Sequence, residues 1–193
     1  MGKSDESLIV AHRDGDAEAF GELMSRYSDA LYNYLLRMTG DRGQAEDLFQ
    51  QTFLRVHEKA SRFRANACLK PWLFSIATRL TIDAARKRQR RPVTVSLSDD
   101  RDDGRAPREP VSSYDPDPSE QAELAEREQR IRDAVAELPN QQRAALVMSY
   151  YQGLSYREVA IAMRCSLGTV KTHMSRALHT LARLLPEEKE AMV

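Results

Sequence analysis

The chain has 193 residues, 41% hydrophobic and 30% charged, with 29 Lys/Arg balanced by 29 Asp/Glu. This is a globular composition on the border between one and two domains. No apolar run approaches a membrane span, and Met1 to Asp16 is acidic rather than basic then apolar, so the reading excludes membrane insertion and a signal peptide and places the chain in the cytoplasm. Cys68 and Cys165 are far apart, with no second Cys or His at ligand spacing. Neither a metal site nor a disulfide is expected, and no cofactor.

The zero net charge conceals segregation. Residues 57–91 hold 10 Lys/Arg against 2 Asp/Glu, a net of +8, whereas residues 92–130 hold 5 against 11. A basic block of that density is an electrostatic footprint for phosphate.

Helix formers dominate and no run alternates with period two, so the fold class is all-α. From Asp16, Phe20, Leu23, Met24 and Tyr27 form an apolar stripe that Leu31, Tyr34, Leu35 and Met38 continue, until Thr39-Gly40-Asp41 breaks it. A second helix carries Phe49, Phe53, Val56 and Ala60 on one side. On its other side Asp47, Gln50 and Leu54 recur at i, i+3 and i+7, a polar stripe with an apolar member that suits either plain solvation or a protein partner. Ser61 to Lys70 lacks helical periodicity and reads as a loop. Pro71 suits the first turn of a third helix, with Leu73, Ile76, Ala77, Leu80 and Ala84 inward before the run Arg86 to Arg91. Arg79, Asp83 and Arg86 share a face of it, and Asp83 is placed to pair with Arg79. Trp72 is read as core. Residues 1–91 are thus one helical bundle.

Residues 92–119 hold five prolines and an Asp-rich patch from Asp99 to Asp103. Such a stretch cannot bury enough surface to offset ordering, so a flexible acidic linker is expected. Residues 120–193 form a second small helical unit. Leu124, Ile131, Val135 and Leu138 support one helix, ended before Pro139, and Gln141 to Tyr151 another. Leu154 to Leu178 then reads as a helix-turn-helix. Ser155 and Glu158 make a capping box for its first helix, and Ser166 caps the second. In that second helix Val170, Met174, Ala177, Leu178 and Leu181 keep the 3.6-residue period, which leaves Thr172, Ser175, Arg176 and His179 on the opposite face with Lys171 at its flank. Short hydroxyls and long cations on one exposed face suit base edges and phosphates in a major groove.

Two sets of fragments, in this order, resemble a known family. The first unit has Ala45-Glu46-Asp47-Leu48-Phe49-Gln50-Gln51-Thr52-Phe53-Leu54-Arg55-Val56, then Phe63-Arg64 and Pro71-Trp72-Leu73-Phe74-Ser75-Ile76-Ala77. The second has Leu138-Pro139, Gln142-Arg143, Gly153-Leu154-Ser155-Tyr156 and Gly168-Thr169-Val170-Lys171. On these the chain resembles the extracytoplasmic-function sigma factors of the sigma-70 class. The resemblance implies a region 2 domain over 1–91 that docks on RNA polymerase core through Asp47, Gln50, Phe53 and Leu54 and opens the −10 element. The −10 contacts would come from Phe63, Arg64, Asn66, Arg79, Asp83 and Arg86. It implies a region 4 domain over 120–193 that reads the −35 element through Thr169, Lys171, Thr172, His173, Ser175 and Arg176. An anti-sigma factor as a controlling partner is also implied, with no small-molecule substrate. The family often carries Gly and an acidic residue after the Phe-Arg pair; Ala65 and Asn66 stand there in this chain. Two other readings compete with this non-catalytic specificity subunit: a stand-alone helix-turn-helix regulator, and a nuclease drawing metal to the Asp99 to Asp103 patch.

Overall fold

The structure is a computed structural model that describes residues 3–64, 66–90 and 118–186, and every regular element among them is helical. The acidic linker of residues 92–119, but for its last two residues, lies outside the described residues, as does the Asp99 to Asp103 patch.

Helix α1 (Asp5–Arg13) precedes the first expected one. Ser4 caps it by accepting the Ser7 N–H, and Leu8 and Ile9 are fully buried. Its acidic residues are structural. Asp5 accepts hydrogen bonds from Arg26 Nη1 at 2.7 Å and from the Tyr27 hydroxyl at 2.6 Å. Glu6 accepts the Leu69 N–H at 3.1 Å. Two buried residues in a single short helix are too few for periodicity to announce.

Helix α2 (Ala17–Thr39) starts at the Asp16 cap and stops at Gly40, whose φ of 67° is the left-handed conformation that glycine adopts without strain. Leu23, Tyr27, Leu31, Tyr34, Leu35 and Met38 are buried along it as the stripe predicts, while Phe20 and Met24 are half-buried. Asp41 caps α3 (Arg42–Lys59), and a 3-10 turn, Ala60–Arg62, closes it. Helix α4 (Leu69–Arg90) has Pro71 in its first turn. More of α4 is covered than its expected stripe. Phe74, Ser75, Thr78 and Thr81 are buried along with Leu73, Ile76 and Ala77.

Two partner surfaces explain this. The chain continues in α5 (Pro118–Ala136), α6 (Asn140–Tyr150), α7 (Tyr156–Met163) and α8 (Leu167–Leu184). Helices α2 and α3 cover one side of α4, while α6 and α7 pack against another. The two units therefore share one core, in which Met148 of α6 lies 3.9 Å from the Thr78 hydroxyl of α4. The buried hydroxyls of α4 are satisfied within the helix: Ser75 donates to the Trp72 carbonyl, Thr78 to Phe74 and Thr81 to Ala77. Tyr34 is wholly buried beside them, its hydroxyl 2.7 Å from Thr78 Oγ1. Leu124, expected inside α5, is exposed, because α5 meets α2 and α8 only toward its C-terminal end, where Ala134, Val135 and Leu138 are buried.

Candidate nucleic-acid and docking surfaces

The helix-turn-helix is built as its sequence predicts. Ser155 accepts the Glu158 N–H while the Glu158 carboxylate accepts the Ser155 N–H at 2.8 Å, the reciprocal capping box. These hydrogen bonds to Ser155, helped by nearby Lys70, hold the Glu158 carboxyl below its ordinary value. Arg164 ends α7 at φ 53°, a left-handed turn made without glycine. Ser166 then accepts the Thr169 N–H at 3.0 Å and starts α8. Val170, Met174, Ala177 and Leu181 face inward, and Lys171, Thr172, Ser175, Arg176 and His179 are all exposed.

Two residues expected as contacts on this helix, Thr169 and His173, differ from the rest in their surroundings. Thr169 is exposed, but its hydroxyl lies 2.8 Å from the Ser166 hydroxyl and belongs to the cap. His173 is half-buried with Nδ1 enclosed and unpartnered, since it sits one residue from Met174 at the edge of the inward face. The open face is Lys171, Thr172, Ser175 and Arg176.

On α3, Asp47 and Gln50 are exposed and Leu54 is 57% exposed, an unusual position for a leucine. Phe53 does not join them. It is buried, with its ring 5.0 Å from Phe49 and 6.3 Å from Phe20, because its position falls on the apolar side of α3. Of the four residues expected to dock, Asp47, Gln50 and Leu54 are exposed and Phe53 is buried.

Phe63 is likewise buried, packed edge-on against Trp72 at 5.1 Å, so it is no open stacking wall. Arg64 and Asn66 beside it are exposed. Trp72, expected in the core, is half-buried against it. Arg79 and Asp83 form an exposed pair at 3.8 Å, as their spacing predicts, and Arg86 is exposed on the next turn. Arg79 and Asp83 border a groove of about 300 Å³ that Arg55, Lys59 and Arg164 also line. Its walls come from α3, α4 and the end of α7, so the groove runs between the two units.

Sequence reasoning assigned no role to three cations that link the units. Arg143 of α6 fans its guanidinium over backbone carbonyls. Nε donates to Val135 at 3.1 Å, Nη2 to Leu138 at 3.0 Å and to Ala136, and Nη1 to Met38 of α2 at 2.7 Å. Burial pulls this guanidinium below its ordinary value, opposed by Glu137. Lys70 donates to the Gln152 carbonyl at 2.6 Å, and Arg37 lies 3.7 Å above the centre of the Tyr151 ring. The available signal was the charge type alone, since all three partners are backbone or ring. Among the described residues no three His, Cys, Asp or Glu side chains converge to hold a metal, and no helix is long and apolar enough to cross a membrane.

Comparison with known proteins follows the same division. Residues 23–91 match the family described as Sigma-70 region 2, and residues 128–181 match Sigma-70, region 4. Over 184 residues the chain is 35% identical to the ECF RNA polymerase sigma factor SigM of Mycobacterium tuberculosis, covering 95% of this chain and 85% of that one. It is 35% identical over 182 residues to the ECF RNA polymerase sigma factor BldN of Streptomyces coelicolor, covering 94% of this chain and 66% of that relative's length. Among solved structures it is similar to the sigma factor RpoE of Bartonella quintana, crystallised with the anti-sigma factor NepR. The TM-score is 0.65 at 25% identity, covering 88% of this chain and 98% of that one.

Proposed function

This chain belongs to the extracytoplasmic-function sigma factors of the sigma-70 family, and on that premise we propose how its surfaces divide the work. It binds RNA polymerase core and directs it to promoter DNA, as a specificity subunit with no reaction of its own. It acts where polymerase and DNA are, in the cytoplasm. Residues 1–91 form the core-binding and −10 unit, and residues 120–193 the −35 unit.

Asp47, Gln50 and Leu54 dock on the polymerase, with Phe53 fixing the helix beneath them. Leu54 supplies apolar area to bury, and the two polar neighbours set its register. Arg64 and Asn66 lie beside the opened strand, where Asn66 can hydrogen-bond a base edge, and Arg79 and Arg86 track phosphates. Asp83 orients Arg79. In the other unit Thr172, Ser175 and Arg176 face the major groove, and Lys171 meets the backbone. Thr169 acts through the helix cap, and His173 lies behind the reading face. An anti-sigma factor controls the chain, as the relative solved with NepR suggests.

The observation that carries this reading is the pair of separate exposed stripes. One, on α8, is hydroxyl and cation; the other, on α3, is acid, amide and leucine. Each therefore fails alone. Arg176→Ala is expected to weaken binding to the upstream element by about 1–3 kcal/mol, roughly five- to 150-fold, as for loss of a bidentate base contact, while co-elution with core polymerase is unchanged. Asp47→Arg is expected to abolish co-elution with core polymerase while leaving the helix content of the free chain unchanged by circular dichroism. Damage to the same step by both substitutions would refute the division. Tight, specific duplex binding by the free chain, with no effect of core, would favour a stand-alone regulator.

A further inference from the structure

We infer that helix α1 braces the loop that meets the opened strand, and that Glu6 is the positioning residue through which it does so. The inference rests on the −10 reading of Arg64 and Asn66 given above.

Helix α4 is poorly equipped to cap itself. Its first residue is Leu69, and Cys68 stands immediately before it. A thiol is a weak acceptor, whereas the side chains that cap helices well are Ser, Thr, Asp and Asn. Pro71, two places beyond Leu69, has no N–H for a cap to take. The Leu69 N–H donates instead to the Glu6 carboxylate, 63 residues away in the chain, at 3.1 Å. A negative charge there also meets the positive pole of the α4 dipole. Leu69 is buried and Glu6 half-buried, so the bond is partly shielded from water, which strengthens it.

Glu6 is itself firmly placed. Its neighbour Asp5 holds Arg26 and Tyr27 of α2, and Leu8 and Ile9 are fully buried one turn on. Helix α1 is therefore a fixed frame.

The same helix reaches the other end of the loop. It packs on the 3-10 turn Ala60–Arg62, which leads into Phe63 and Arg64. The loop thus enters from a turn that touches α1 and leaves into a residue bonded to it. Between these ends Phe63 is pinned against Trp72, and the Ala67 N–H donates to the Arg64 carbonyl at 2.9 Å. The exposed side chains of Arg64 and Asn66 are carried on this braced segment. Bracing favours capture of an unstacked base, because a preorganised donor loses less freedom when it binds. Helix α1 ends at Arg13, ahead of residue 23 where the match to Sigma-70 region 2 begins, so the brace lies outside the matched part.

The test uses the full-length chain bound to polymerase core. The probe is a single-stranded DNA oligonucleotide, the −10 sequence that the parent holoenzyme selects from a randomised pool. Glu6→Ala is expected to bind it about tenfold more weakly, a change of about 1.4 kcal/mol. Helix content by circular dichroism and co-elution with core should be unchanged. Glu6→Gln keeps an oxygen that can accept the Leu69 N–H, and should stay within about threefold of the parent. If Glu6 acts through the loop, its loss adds little once the loop's own donors are gone. In a background of Arg64→Ala with Asn66→Ala, adding Glu6→Ala should therefore weaken binding by less than about twofold. A full tenfold loss in that background would overturn the inference. So would parental binding by Glu6→Ala, or equal weakening by Glu6→Ala and Glu6→Gln. Loss of core binding along with the oligonucleotide would show a general effect on the fold and overturn it too. A parent holoenzyme that selects no sequence would remove the −10 reading itself, and the inference with it.

Discussion

Helices α4 and α8 are both assigned to promoter DNA, yet they are built on opposite plans. Helix α8 has a narrow buried stripe and one open polar face, from Lys171 to Arg176. Helix α4 is buried on nearly every side from Leu73 to Thr78, and its open residues begin at Arg79. The difference shows that a helix packed on one side keeps a whole face open, whereas a helix lying between two packed surfaces keeps open residues only beyond them. On α8 the Thr172 hydroxyl donates to the Gly168 carbonyl of its own helix but stays exposed, as does Ser175. On α4 the hydroxyls of Ser75, Thr78 and Thr81 likewise donate within the helix, but they are buried.

Hydroxyl removal should break the symmetry between two threonines that look alike in sequence. Thr78→Val leaves the wholly buried Tyr34 hydroxyl without its oxygen partner, and is expected to lower unfolding free energy by about 1–3 kcal/mol in urea titrations. Thr172→Val removes a hydroxyl that donates to the Gly168 carbonyl on an exposed face. It should change stability by less than about 0.5 kcal/mol and register in binding to the upstream element. Equal destabilisation by the two would erase the contrast drawn between the helices.

A smaller effect tests how α8 is held in place. Ser155→Ala removes the capping box of α7 and is expected to cost about 1 kcal/mol. The Glu158 half of the box titrates. Its folded value is held down by hydrogen bonds to Ser155, so its stabilisation is present above the ordinary value of 4.5 and is lost as pH falls through the lower folded value. Stability curves of Glu158→Gln should run parallel to the parent's above that range and converge with it below. Divergence at acid pH would show the sign to be wrong.

One further small effect is a gain. Arg164 takes up a left-handed turn with φ 53°, so Arg164→Gly should stabilise the chain by about 0.5–1 kcal/mol in thermal unfolding. It also removes a cation from the inter-unit groove. An unchanged or lowered melting temperature would show that the left-handed turn at Arg164 carries no strain.

Legibility varied with the kind of signal each region carries. The α8 face was readable because amphipathic spacing, two caps and residue chemistry agreed over one long helix. Phe53 could be read as core or contact and Phe63 as a contact, since an aromatic side chain is equally at home in a core and against a partner; packing against Phe49 and Trp72 buries both. Helix α1 escaped notice because its buried pair, Leu8 and Ile9, is too short a pattern to stand out from an acidic segment.

By itself the sequence determined the all-helical class, the cap and turn positions, the segregation of charge, and which faces of α3 and α8 would be polar. Those properties depend on residues within one or two turns of each other, and local spacing records them directly. Only the tertiary structure decided that the two units share a core and that Arg143, Lys70 and Arg37 join them. Their partners are a carbonyl of Met38, a carbonyl of Gln152 and the Tyr151 ring. Every residue has a carbonyl, so its capture by a distant cation leaves no mark in composition or periodicity.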